Sequence, residues 1–349
     1  MHQDKTFILS RFITVFSIAH FLVDTACAIL LLGVLEIKDA ILAMLLYNAF
    51  AFVLQAPFGY LIDKYLNPKW VAIIGLILVA IAYIFLDNPL IAILIVSIGN
   101  ALYHVGGGSL VLSLNERKAT YIGIFVAPGA LGLAIGSLLS ISKFELFNWL
   151  LPVLLLCISG LIFFIKTPSF SRNIENRLPN SISNIILLIV LIMLPITVRS
   201  LIGLSIEFPW KENKTLLILL VSFLALGKVL GGLLADKFGL LKVGIGGLII
   251  SAPLLAFYST MPFFAIFGAF VFNFTMPVTL IAILNVIPNN KGLSFGLTTT
   301  ALFIGAMPTI LGKNLWLKND IVVLSFILLA SLVLFAALRF MIKLKILKV

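Results

Sequence analysis

The chain has 349 residues, 62% of them hydrophobic and only 11% charged, with a formal net charge of +11. An average soluble domain is about 45 to 50% apolar and about 25% charged, so a soluble fold of this length could not cover itself with so few charges. Lipid must face most of the surface, which disfavours secreted disulfide scaffolds, disordered chains and enzymes built round a large water-filled cleft.

A crossing of the bilayer takes about 20 apolar residues. Cutting at charged, Pro/Gly and Asn clusters predicts twelve spans, at 8–34, 40–62, 70–86, 90–113, 119–141, 146–165, 184–206, 215–235, 242–258, 262–286, 292–312 and 320–341. The first run is not followed by a small-residue cleavage site and reads as a retained span. Cys27 and Cys157 fall inside apolar runs and indicate neither a disulfide framework nor a metal site. Connections are short and leave no room for a soluble domain. The longest, Lys166 to Ser183, carries Pro168, Arg172, Glu175, Arg177 and Pro179. It divides the chain into an N-terminal six-helix bundle (1–166), a cytoplasmic linker (167–183) and a C-terminal six-helix bundle (184–349).

An even number of spans puts both termini on one side. Of the 24 Lys and Arg residues, 16 fall in the segments on the side of the termini and 6 on the other, which predicts cytoplasmic termini in the cell membrane. The net charge is therefore an orientation signal and not a nucleic-acid footprint. Trp70, Trp149, Trp210 and Trp316 stand at span ends, where amphipathic rings belong.

The remaining two cations, Arg199 and Lys228, lie within spans, as does Asp24. A charge at the bilayer centre costs roughly 2.5 to 3.5 kcal/mol on insertion scales, so such residues face a bundle interior and carry function. His20 and Asp24 are one helical turn apart and share a face. A carboxylate in such a cavity can load and release a proton, and His20 can pass it or simply tie spans together. His104, in the middle of span 4 before Gly106-Gly107-Gly108, is a candidate for the same relay or a hydrogen-bonded core residue. The glycines serve close packing.

Arg199 presents a planar fork suited to a carboxylate or phosphonate, and Lys228 a point charge that serves either the substrate or a cytoplasmic gate. An Asp24 to Arg199 salt bridge is one expectation, either permanent or broken by an anionic substrate. Asn48, Gln55, Asn100 and Asn273 are candidate cavity-lining or interhelical polar groups, with Asn48 and Gln55 seven residues apart and so on one face.

Gly59-Tyr-Leu-Ile-Asp63-Lys64 after span 2 recurs as Gly232-Leu-Leu-Ala-Asp236-Lys237 after span 8, an offset of 173 residues that also maps Asn100 onto Asn273 and Gly123 onto Gly296. In each copy the Gly permits close helix approach, and the Asp can accept bonds from a helix N-terminus or pair with a nearby cation, latching one bundle to the other. On these residues the chain resembles the major facilitator superfamily, whose loop after span 2 runs Gly-x-Leu-Ala-Asp-Arg-x-Gly-Arg. The first copy has Leu66 where the family prefers Gly, and the second supplies Gly239. The resemblance implies two six-helix halves with a site between them at mid-membrane, and a cytoplasmic gate formed by Gly59, Asp63, Lys64, Gly232, Asp236 and Lys237. His20-Phe-Leu-Val-Asp24, Leu102-Tyr-His104-Val-Gly-Gly-Gly-Ser109 and Ile124-Phe-Val-Ala-Pro128-Gly129-Ala-Leu-Gly132 look like the fosmidomycin-resistance type of drug exporter, with Val105 in place of that group's usual Pro.

The expected architecture is thus an all-α polytopic membrane protein of two pseudo-symmetric six-helix bundles. The expected function is secondary active transport of a small anionic or drug-like solute by alternating access, coupled to protons and directed outward. A flippase for an amphipathic lipid or glycolipid precursor is the alternative, and a non-transporting scaffold or sensor is a third. There is no Gly-x-x-x-x-Gly-Lys-Ser/Thr sequence, no serine triad and no paired acids, so neither an enzyme nor a cofactor is expected. The expected partners are the solute, protons and the bilayer, with the chain a monomer.

Overall fold

The computed structural model describes residues 2–35, 39–114, 118–141, 146–168, 170 and 181–347. Linker residues 169 and 171–180, with Arg172, Glu175, Arg177 and Pro179, lie outside them, as do Lys38, Arg117, Lys143 and Lys348.

Among the described residues there are helices and turns and no strand. The first half runs α1 (His2–Ile29), α2 (Ala40–Asn48), α3 (Gln55–Lys64), α4 (Pro68–Ala82), α5 (Pro89–Val111), α6 (Ala119–Ser140) and α7 (Phe147–Phe164). The second runs α8 (Ile182–Ser205), α9 (Lys214–Phe238), α10 (Leu240–Phe257), α11 (Pro262–Phe272), α12 (Thr275–Val286), α13 (Lys291–Ile310) and α14 (Asp320–Lys343). A π segment, Ala49–Val53, joins α2 to α3 into one crossing, and a break at Asn273 and Phe274 leaves α11 and α12 as another. Among the described residues eleven crossings are long and apolar enough to span a bilayer, and α4 is a shorter apolar helix between two of them. The protein is a multi-pass membrane protein.

The Asn and Pro clusters that separate the spans act as helix starts. Asn67 accepts from the Lys69 amide at 2.9 Å with Pro68 in the first turn, and Asn88 and Pro89 repeat the arrangement before α5. Asn213 and Asn319 cap α9 and α14 in the same way. Gly239 turns α9 into α10 with φ of 91°, a left-handed conformation natural to glycine. Its counterpart Leu66 needs no such φ, because Asn67 and Pro68 start α4 directly, which accounts for the missing glycine in the first copy. Lys69 Nζ donates to the carbonyls of Phe163 and Ile165 at 2.7 and 2.9 Å, capping the C-terminal end of α7.

Within the first half α1 packs on α6 and α4 on α5; within the second α8 packs on α13 and α10 on α14. One apolar core gathers Phe12, Phe16, Leu76, Tyr103 and Phe125, and another Leu188, Ile192, Leu334 and Met341. The two most extensive crossings between the halves are α3 on α13 and α6 on α9. Both are backbone contacts that side chains would block. A Cβ on Gly59 would lie 2.2 Å from the Gly292 carbonyl oxygen, and one on Gly232 2.5 Å from that of Ala119. Gly59 and Gly232, and likewise Ala119 and Gly292, are separated by the same 173 residues as the sequence repeat. Among the described residues the closest packing between the halves lies toward the end carrying the α3–α4 and α9–α10 turns.

Candidate functional site

α1 and α5 bring three polar side chains together inside the first half. Two histidines and an aspartate form a closed triangle: His20 Nε2 lies 3.3 Å from Asp24 Oδ2, His104 Nε2 3.4 Å from Asp24 Oδ1, and the two Nε2 atoms are 2.8 Å apart. Each outer ring nitrogen meets a backbone carbonyl. His20 Nδ1 donates to Phe125 on α6 and His104 Nδ1 to Asn100, both at 2.8 Å. Asn100 also directs its Nδ2 to Asp24 Oδ1 at 3.4 Å. His20 is buried, while the Asp24 and His104 side chains keep 19% and 12% exposure, so the triangle has one open side.

Local sequence explains the seat. Pro128 in α6 lacks an N–H and leaves the Ile124 carbonyl without its helical donor, and Ser17 of α1 takes it at 3.3 Å. One residue on, Gly129 faces the triangle, where a Cβ would stand 2.2 Å from His20 Nε2 and 2.6 Å from Asp24 Oδ2. Gly129→Ala is therefore expected to push the rings apart. Overpacking of about 1 to 3 kcal/mol predicts a fall of about 5-fold to 150-fold in solute flux at near-normal folded yield. Wild-type flux in this variant, measured in proteoliposomes, would show that the triangle does no work in transport.

The second half supplies the opposite charge. Lys228 on α9 is half-buried and within electrostatic reach of both Asp24 and Arg199, and Arg199 stands on α8 one turn after Pro195. Arg199 Nε is buried with no hydrogen-bond partner. The expected Asp24 to Arg199 salt bridge is not among the ion pairs of the described residues, because the two histidines of the same half already hold the carboxylate. The simple offset also misplaces Asp24. The approach of Gly132 to the Phe21 carbonyl is matched by that of Gly305 to the Thr197 carbonyl. The second half is thus three residues shorter between these helices, and the counterpart of Asp24 is Ser200 and not position 197.

Of the four neutral polar candidates only Asn100 touches the triangle. Asn48, Gln55 and Asn273 each donate to a carbonyl one turn back in their own helix, Met44, Ala51 and Ala269, at 2.7 to 2.9 Å. Asn48 and Gln55 do not share a face, since the π segment between them shifts the register by about a quarter turn, burying Gln55 and leaving Asn48 half-exposed.

Both motif aspartates reach across to the other half. Asp63 accepts the amides of Gly292 and Leu293 at the start of α13, each at 2.9 Å. Asp236 accepts the amides of Ala119 and Thr120 at the start of α6 at 2.8 and 3.0 Å, and the Thr120 hydroxyl at 2.5 Å. Every member of one set lies 173 residues from its counterpart in the other. Helix N-termini carry orphan N–H groups and a positive dipole end, which suits a carboxylate. Lys64 and Lys237 do not join the contact; they stack over Tyr60 and Phe238, at 5.7 and 5.2 Å from the ring centroids. Sequence alone does not mark the amides of Ala119, Thr120, Gly292 and Leu293, or Gly129, as partners.

Two helical halves latched at one end around opposed charges within the spans are the architecture of polytopic helical transporters. The chain belongs to the Major Facilitator Superfamily, whose family model matches residues 7–309. Crystal structures with the same fold include the E. coli fucose:proton symporter FucP, at TM-score 0.71 and 16% identity over 94% of this chain and 98% of that one. The human organic anion transporter MFSD10 (TETRAN) matches at TM-score 0.70 and 16% identity, over 93% of this chain and 99% of that one. The nucleoside transporter NupG matches at TM-score 0.59 and 12% identity, over 94% and 99%. A search of curated proteins gives no match.

Proposed function

We propose that the chain is a proton-coupled secondary transporter of a small organic anion. The observation that carries this is the division of charge between the halves. One half holds the His20–Asp24–His104 triangle; the other holds Lys228, within electrostatic reach of Asp24, and Arg199, with an unsatisfied buried Nε. An anion bridging Arg199 and Lys228 would supply the missing acceptor, and the triangle is the place for a proton. The two aspartate latches hold the shut end and must release for the site to open there. With the positive-inside orientation the shut end is cytoplasmic, so the site faces outward, and the halves 1–166 and 184–349 rock about it. The motifs around His20, His104 and Pro128 support a drug exporter of the fosmidomycin-resistance type, and we assign the direction as anion out in exchange for protons in.

Anion efflux from proteoliposomes tests this. Efflux is expected to accelerate when the outside is made acidic, and to lose that acceleration in Asp24→Asn. Flux indifferent to the gradient would end proton coupling, and faster uptake with the gradient would reverse the direction. Displacement of the anion by lysolipids would favour a lipid flippase instead.

A further inference from the structure

Backbone carbonyls only accept hydrogen bonds. Because His20 Nδ1 and His104 Nδ1 each lie 2.8 Å from one, both Nδ1 atoms carry a proton. In two neutral rings both Nε2 atoms would then be bare lone pairs, yet they stand 2.8 Å apart, the length of an N–H···N hydrogen bond. Two protons there would place N–H against N–H at the same distance. One proton between the two Nε2 atoms satisfies the 2.8 Å contact, whereas two would have to turn to the Asp24 oxygens at 3.3 and 3.4 Å, beyond the usual N–H···O length.

We infer that His20 and His104 together form a binding site for a single proton, held between their Nε2 atoms as an imidazolium–imidazole pair with Asp24 as its counter-charge. The inference deepens the proton-coupled transport proposed above and rests on it only for its role in the cycle. Proton entry forms one N–H bond on one Nε2 and a hydrogen bond to the other, the proton coming from water on the open side of Asp24 and His104. Departure leaves two lone pairs face to face, which drives α1 and α5 apart at this point. Asp24 stays a carboxylate throughout, flanking both Nε2 atoms at 3.3 and 3.4 Å.

A divalent cation uses the same kind of donors, but two imidazole nitrogens on one tetrahedral zinc stand roughly 3.3 Å apart, and Lys228 already brings positive charge. The other titratable groups facing the triangle are Cys27 on α1, Tyr47 on α2 and Tyr103 on α5; Asn100 and the Phe125 carbonyl complete the wall. Arg199 acts on it from α8 through Lys228. Cys27, Tyr47 and Tyr103 lie too far from either Nε2 for any bond to it among the described residues, so the proton has one seat.

The chain has three histidines, His2, His20 and His104. In a His2→Gln background, histidine-selective 15N labelling leaves only the pair visible. NMR of this protein in nanodiscs is expected to show three N–H protons over four ring nitrogens near neutral pH, with a scalar coupling between the two Nε2 across the shared proton. Asp24→Asn should remove the shared proton while both Nδ1–H signals persist. Two protons, or two neutral rings without coupling, would overturn the inference. Since the spectrum needs no solute and no gradient, that failure is distinct from a failure of proton-coupled flux, which the efflux assay reads separately.

Discussion

Arg199→Ala abolishes anion-dependent stabilisation of the purified protein. The side chain is buried with an unpartnered Nε, so in the bound state it gains a charge-assisted contact that nothing else in the described residues supplies. Truncating one member of a buried charged pair costs about 2 to 5 kcal/mol, which weakens anion binding by about 30-fold to several thousand-fold. A thermal-shift screen of small carboxylates and phosphonates should raise the melting temperature of the wild type and leave Arg199→Ala unmoved. Arg199→Lys should restore only part of the effect, since an ammonium cannot reproduce a bidentate fork. Equal stabilisation of both proteins would place the anion elsewhere.

The second large effect falls on the latches. Asp63 holds two amides of α13, and Asp236 two amides and a hydroxyl of α6. Hydrogen bonds to a charged group contribute about 1.5 to 3 kcal/mol each, so Asp63→Ala shifts the equilibrium between shut and released ends by about two orders of magnitude or more. Spin labels on Tyr65→Cys and Phe238→Cys, both exposed at the shut end on opposite halves, read this directly in a background lacking Cys27 and Cys157. The wild type should give a narrow distance distribution. Asp63→Ala and Asp236→Ala should each broaden it and add a longer component, and the double variant should be dominated by that component. Unchanged distributions would mean that the glycine crossings alone, Gly59 on Gly292 and Gly232 on Ala119, keep the halves together.

Much of this architecture was legible because a bilayer enforces it. An apolar run of about 20 residues has few options other than a helix, and Asn or Asn-Pro at a span boundary states its own reason as an N-cap. His20, Asp24, His104, Arg199 and Lys228 stood out one by one, since charge and imidazole at mid-span are costly. What sequence did not carry was which of them meet. The i, i+4 spacing shows that His20 and Asp24 share a face, but the approach of His104 depends on how α5 crosses α1, a tertiary fact. The same holds for the latches: Asp63 and Asp236 were visible, whereas their partners are backbone amides that any residue provides. Unbroken α-helical periodicity would align Asn48 with Gln55, but the π segment Ala49–Val53 turns the register between them, and no residue in it announces that.

The most direct test of the account is to record anion and proton movement together in proteoliposomes with no pH gradient imposed. Outward flow of anion down its own gradient should acidify the lumen, with one proton entering per turnover, and Asp24→Asn should stop the acidification. Anion flow in the wild type with no change of lumenal pH would contradict it.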